Sequence, residues 1–255
     1  MTEPVVLTER RGPILLVTLN RPQARNAIDR QVAEALAAAL ATLDADERLA
    51  AAVLTGAAPG FCAGMDLKAF AADEEARADG RPLGGVVPRP TAKPTIAAVE
   101  GFAVAGGLEL ALTCDLIVAA RGARLGLPEV KRSLVAVGGG LLQLPLRVPA
   151  GIAKEIALTG EPIDAERAHA VGLVNRLAEP GEAVAVALEL AGAIVANGPL
   201  AVRATKRILD ERAGWSAEET WERQQEIGGP VLASDDAREG ALAFAERRDP
   251  VWTGR

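Results

Sequence analysis

Short apolar runs punctuated by glycine, proline and charge organise the first two-thirds of this chain. Val5–Thr8 and Ile14–Leu19, separated by Arg11-Gly12-Pro13, read as a hairpin. Ala51–Thr55, Thr95–Val99 and Leu116–Ala120 lack polar alternation and read as buried strands. Helical spacing takes over between the first two of these groups. Val32, Leu36, Leu40 and Leu43 share one face of a helix that starts after Asn26 and runs to about Asp44. A shorter helical stretch, Leu108–Thr113, is opened by Gly106-Gly107 and stands between two of the buried strands. Beyond residue 180 the pattern is helical throughout: Glu182–Ala196, Pro199–Glu211, Ala217–Ile227, and a last helix capped by Ser234-Asp235-Asp236 and ending near Arg247. Strand, strand and helix recur, which predicts an α/β fold. A division at residue 198 follows, with a core over 1–197 and a helical segment over 198–255.

Composition narrows the class. Of 255 residues, 49% are hydrophobic and 24% charged, an ordinary globular balance with ample material for a core. Tyrosine is absent and aromatics number four Phe and three Trp, so Ala, Val, Leu and Ile must fill that core. A net charge of −6 leaves no basic excess to neutralise phosphates, which argues against nucleic acid as a partner. Cys62, Cys114 and the single His169 have no metal-ligand spacing and no disulfide framework, so no metal is expected and a reducing compartment is. His169, in a helical context, reads as a packing or surface residue. Met1–Arg11 has no apolar core of a leader and no run reaches membrane-spanning length, so the expected location is the cytoplasm, with no membrane contact. Ala71–Lys93 turns acidic and then rich in glycine and proline; it reads either as a solvated loop or as a lid over a ligand.

Candidate chemistry gathers between Gly101 and Glu129. Glu109 falls in the first turn of the short helix, where a carboxylate is favoured by the helix dipole alone. Glu129 follows Leu127-Pro128 and could be an ordinary loop acid. An intervening strand, however, brings the second carboxylate back toward the first. Gly106 sits where a helix begins, so its N–H is unpaired and suited to a negatively charged oxygen.

Six segments, in order, resemble the crotonase family, the enoyl-CoA hydratase/isomerase superfamily. They are Leu19-Asn20-Arg21-Pro22 with Asn26-Ala27, Phe61–Leu67, Gly101–Asp115 with Pro128-Glu129, Leu158-Thr159-Gly160, Gly172-Leu173-Val174 and Phe244–Arg248. The resemblance spans nearly the whole chain. It implies a spiral of ββα units followed by a C-terminal helical trimerisation segment, and trimers or dimers of trimers as the assembly. It also implies an acyl-CoA thioester substrate, with coenzyme A entering only as part of that substrate. By resemblance, the N–H groups of Met65 and Gly106 form an oxyanion hole, and Glu109 and Glu129 hold water between them. Glu109, favoured in its ionised form by the dipole, orients and deprotonates that water; Glu129, protonated, supplies the proton to Cα. Arg25 and Lys68 stand where the family contacts the nucleotide, Ala63 and Leu67 offer backbone groups to adenine, and Asp66 lies in the same stretch. Phe244 and Arg247 stand where a neighbour's site is within reach.

Two departures bear on the substrate. Ala136-Val137 precede Gly138-Gly139-Gly140 where the family's hydratases have Pro-Gly, so Val137 brings a branched side chain toward the acyl pocket. Leu127 replaces a residue that is commonly polar. The glycine triplet has neither the lysine nor the spacing of a phosphate loop. The leading expectation is an enoyl-CoA hydratase/dehydratase. A Δ3–Δ2 isomerase, which needs one glutamate, and a weakly catalytic acyl-CoA-binding subunit stand as alternatives.

Overall fold

In a computed structural model of the chain, which describes residues 3–71, 77–78, 81–82 and 91–255, the strands form a six-stranded, a three-stranded and a two-stranded sheet. The first half runs through β1 (Val6–Arg11), β2 (Ile14–Leu19), α1 (Arg30–Ala45), β3 (Ala51–Gly56), α2 (Leu67–Ala71), β4 (Arg77–Ala78), β5 (Arg81–Pro82), β6 (Thr95–Val99), β7 (Phe102–Val104) and α3 (Gly106–Thr113). The second continues through β8 (Leu116–Ala120), β9 (Arg124–Gly126), α4 (Gly140–Arg147), α5 (Ala150–Thr159), β10 (Ile163–Asp164), α6 (Ala165–Ala170), β11 (Arg176–Ala178), α7 (Ala183–Val195), α8 (Pro199–Glu211), α9 (Thr220–Leu232) and α10 (Asp235–Glu246). The larger sheet has the order β1-β2-β3-β6-β8-β11, and the smaller has β10-β9-β7. Only β1 runs antiparallel in the larger sheet, and it pairs with β2 along its full length. From β6 to β9 the chain lays one strand in the large sheet and the next in the small one: β6 then β7, β8 then β9. This is the spiral of ββα units that the family resemblance implies.

The unbroken apolar runs have a physical reason. Parallel strands covered on both faces have no solvent side on which to place polar residues. One face of the large sheet packs Ile14, Leu16, Val53, Ile96 and Val118 against α7, whose Ala183, Ala187 and Ala191 are all buried. Alanine every fourth position lets that helix approach the sheet closely. The other face carries the main core, in which Leu36 and Leu43 of α1 pack with Val17, Leu19, Leu110 and Ile117. α1 begins where Asp29 accepts a hydrogen bond from Val32 N at 2.9 Å, three residues later than the expected start after Asn26.

Past α7 the apolar core stops. α8 buries only Lys206, and α9 buries no residue. α10 starts at the expected Ser234 cap, whose hydroxyl accepts from Ala237 N at 3.0 Å. Asp236 ties the C-terminal tail down, accepting from Thr253 N at 2.7 Å and Gly254 N at 2.9 Å. The helix expected over Ala217–Ile227 is shifted to Thr220–Leu232, through Pro230 in its last turn. The short strands β7, β9, β10 and β11 and the helices α4 to α6 carry no pattern long enough to show in the sequence. The loop-or-lid reading of Ala71–Lys93 falls mostly outside the described residues.

Candidate active site

The N-terminal end of α3 is built by close backbone approach. A Cβ at Gly107 would stand 2.1 Å from Cys62 O, so α3 can seat against the Phe61–Gly64 loop only with glycine there. Gly64, at φ 93, is as tightly placed: a Cβ on it would lie 2.8 Å from Gly106 N. Met65, its successor, bridges to Ile28, and Cys62 bridges to Ala103 of β7. Asn26, fully buried, holds the outer loop by donating to Ala57 O and Gly60 O at 2.7 Å and accepting from Arg21 N at 3.0 Å. The family-like segments around Asn26, Met65 and Gly106 thus converge on one place. Among the described residues, neither Met65 N–H nor Gly106 N–H donates to a protein acceptor.

Ala105, which precedes Gly106, has φ 52 and ψ −133, a conformation costly for any residue with a Cβ. Its N–H donates to Gly126 O at 2.9 Å, which pins the turn from β7 into α3. Backbone strain is therefore stored directly before one of the two free N–H groups.

Glu109 is buried in the first turn of α3, and its Oε1 accepts from Gly140 N at 2.9 Å. The glycine triplet, which lacks the marks of a phosphate loop, holds a carboxylate. A Cβ at Gly140 would meet Glu109 Cγ at 2.8 Å and Leu127 Cδ2 at 3.3 Å, so Leu127 walls the same spot with hydrocarbon. Burial raises the Glu109 carboxyl above the usual range, and the N–H groups of Gly140 and Gly138 work against that. Desolvation thus acts on Glu109 against the dipole and the two N–H groups that favour its ionised form.

Glu129 opens a 3-10 turn, Glu129–Arg132, rather than a loop. Burial pushes its carboxyl up to about 7; its own backbone N–H opposes the rise, and the Glu109 charge adds to it. Glu129 Oε2 is buried and has no hydrogen-bond partner among the described residues. Two carboxyl groups are thus close enough to sense each other, with Glu129 held protonated more readily than an ordinary glutamate. That is the acid–base split of a two-carboxylate site.

The remaining sequence candidates are placed as follows. Arg25, Leu67 and Lys68 are exposed, and Ala63 is half-buried, its N–H donating to Arg25 O at 3.1 Å. Asp66 is occupied structurally, accepting from Lys68 N at 3.0 Å and pairing with Arg21 at 3.2 Å. Val137, 81% exposed, lies one residue before Gly138. Phe244, 86% exposed, stands on α10. His169, expected as a packing or surface residue, is exposed, its Nδ1 lying 2.9 Å from Val174 O. Both cysteines are buried thiols pushed up to about 12 by burial, and so inert. Among the described residues no cluster of His, Cys, Asp and Glu could hold a metal. A cavity of about 510 Å³ lined by Lys93, Arg203 and Trp252 shares no lining residue with the two glutamates. Sequence reasoning missed Ala105, Gly107, Gly140 and Arg147; their roles depend on what folds against them.

A family model described as enoyl-CoA hydratase/isomerase matches residues 9–255. Enoyl-CoA hydratase EchA19 of Mycobacterium tuberculosis is 41% identical over 261 residues, covering 99% of this chain and 97% of that protein. Carnitinyl-CoA dehydratase of Salmonella arizonae is 44% identical over 263 residues, with both chains fully covered. The crystal structure of enoyl-CoA hydratase EchA1 from Mycobacterium marinum superposes with a TM-score of 0.97 at 58% identity, covering 99% of this chain and all of that one.

Proposed function

Because the chain belongs to the enoyl-CoA hydratase/isomerase family, we propose that it adds water across the 2,3 double bond of an enoyl-CoA thioester and catalyses the reverse dehydration. The observation that carries this reading is the pairing of two electrostatically coupled glutamates with two free backbone N–H groups at one end of α3. Met65 N–H and Gly106 N–H bind the thioester oxygen, which gains negative charge as the β carbon is attacked. Donors preorganised in a dry site are the largest catalytic contribution available to such a reaction. Glu109 takes a proton from water, whose oxygen bonds to Cβ. The protonated Glu129 delivers its proton to Cα, and its unpartnered Oε2 is the oxygen free to do so. Exchange between the two carboxyls restores the starting state. An isomerase would need only one carboxylate in reach, so the coupling of the two favours hydration.

Coenzyme A is the handle of the substrate and no other cofactor is used. Arg25 and Lys68 meet its phosphates, and the Ala63 and Leu67 backbone meets adenine. Val137 and Leu127 limit the acyl group. Assembly into trimers, or dimers of trimers, covers the helices over 198–255, where Trp221, Leu232 and Phe244 are exposed. Purified protein should hydrate crotonyl-CoA, read as loss of enoyl thioester absorbance; a fully inactive protein that binds the thioester would leave the binding-subunit reading in its place. Light scattering should give a multiple of three 26.4 kDa chains, and a monomer at micromolar concentration refutes the assembly.

A further inference from the structure

We propose that Arg147 is a positioning residue for this reaction: it clamps the far end of α4 onto α3 and thereby holds the Gly140 N–H on the Glu109 carboxylate. The inference rests on the reading of Glu109 as the group that takes the proton from water.

α3 and α4 are each eight residues long and pack against each other. Their N-terminal ends meet where Gly140 N donates to Glu109 Oε1 at 2.9 Å. Their C-terminal ends meet at Arg147, whose Nη2 donates to Leu112 O at 2.9 Å and also to Cys114 O. Leu144, between Gly140 and Arg147 in α4, is fully buried. With a rise of ~1.5 Å per residue, the ties stand roughly 10 Å apart. Two attachment points at that separation fix both slide and rotation of α4 along α3. A single point at Gly140 fixes neither.

The choice of residue follows from what it faces. The last carbonyls of α3 carry the negative end of the helix dipole and have no partner within the helix. A guanidinium, planar and always charged, satisfies two carbonyls at once. The charged groups that face Arg147 are Asp115 at the end of α3 and Asp210 on α8, both favouring the cation, with Lys206 tied between them. The Cys114 thiol beside it stays neutral. At the other end Glu129 is the described titratable group that feels the Glu109 charge, and Glu109 itself receives the N–H groups of Gly138 and Gly140.

Loss of the clamp therefore has a signed consequence. A hydrogen bond to the charged carboxylate lowers its pKa, so loosening the Gly140 N–H raises that of Glu109. The base then protonates at higher pH, and the acidic limb of kcat/KM moves upward. KM, set by contacts to coenzyme A elsewhere, should change little.

The test uses the full-length protein and the variants Arg147→Met, Arg147→Gln and Arg147→Lys. Crotonyl-CoA hydration gives kcat, KM and the pH profile. The ¹³C carboxyl titration of Glu109, assigned by its loss in Glu109→Gln, reads the clamp without turnover. In Arg147→Met, kcat should fall roughly ten- to a hundredfold, the scale of a displaced catalytic group. Its acidic limb and its Glu109 titration should rise together by about half to one pH unit. Arg147→Gln should fall between Met and wild type, and Arg147→Lys should restore most of the activity. A folded Arg147→Met with unmoved limb and titration overturns the proposal, whatever its melting temperature. If the Met variant does not fold, Arg147→Gln decides on the same two readouts. A wild-type protein that does not hydrate crotonyl-CoA refutes the proposed reaction, while the carboxyl titration still tests the clamp by itself.

Discussion

The two ends of α3 differ in how their polar groups are matched. At the C-terminal end the strong donors and acceptors are paired. Arg147 caps Leu112 O and Cys114 O, and Asp115 accepts from Thr95 N at 2.7 Å, from Thr95 Oγ1 at 3.3 Å and from Lys206. At the N-terminal end the described N–H groups of Gly106 and Met65 and Glu129 Oε2 have no protein partner, and Ala105 is strained. Buried polar groups are ordinarily satisfied, because an unmade hydrogen bond costs more than a made one gains. One end of the helix therefore anchors the fold, and the other keeps its hydrogen-bonding capacity for something that arrives. Changes at the second should act on turnover and changes at the first on stability, with Arg147 the exception because α4 carries its tie to Glu109.

The largest effect is expected at the open end. Glu129→Gln should lower crotonyl-CoA hydration by roughly two to four decades, the scale for positioned acid–base groups, with the melting temperature held or raised. Glu109→Gln should do much the same, and the double variant should lose little more, since both groups act on one water. Near wild-type turnover in either single variant would erase the distinction between the ends.

The closed end should answer in the opposite currency. Lys206→Met leaves the Asp115 and Asp210 carboxylates facing each other without their shared cation. The loss should be about 2–3 kcal/mol in denaturant unfolding, below the range for a fully buried pair because Asp210 keeps some solvent. Turnover per folded molecule should stay within about twofold of wild type, since no reacting atom is near. A stable variant with collapsed turnover would place catalysis at the wrong end.

pH separates the ends more finely. Glu129 must be protonated to act, so kcat/KM should fall as pH rises through about 7, and that limb should vanish in Glu129→Gln. Stability follows with a fixed sign. The folded carboxyl lies above its ordinary value of 4.5, so its contribution is complete below that value and is lost as pH rises through about 7. Glu129→Gln should therefore melt higher than wild type in mildly alkaline buffer and equal to it in acid. Calorimetry at the two pH values checks this; a difference of the reverse sign would mean that Glu129 is ionised in the resting protein.

The smallest effect concerns strain. Ala105→Gly should stabilise by about 0.5–1 kcal/mol, because glycine accepts a positive φ without a Cβ penalty. Turnover should fall a few-fold as the Gly106 N–H becomes less firmly aimed. A variant that gains stability at unchanged turnover would make the strain incidental.

Much of this molecule was legible in its sequence. The strands 95–99 and 116–120, the face of α1 and the Ser234 cap are local patterns, and each is repeated in the structure. Glu109 in the first turn of a helix opened by glycines was equally plain. Those features follow from periodicity, capping and turn chemistry, which act over a few residues and leave a mark wherever they act. The burial of Glu109 was not legible in the same information, because the dipole is local and the groups that bury the carboxylate, Leu127 and α4, lie far along the chain. Gly107 needs to be glycine only because Cys62 O stands in the way of a side chain, and Arg147 matters only because α4 packs on α3. The sequence by itself determined the alternation of strands and helices, the apolar interior and the identity of the two acids. The tertiary structure decided which N–H groups stay free, which carboxyl holds its proton and which cation clamps the site. These depend on desolvation and on contacts between residues as many as 91 positions apart, such as Lys206 and Asp115, whose meeting no local pattern records.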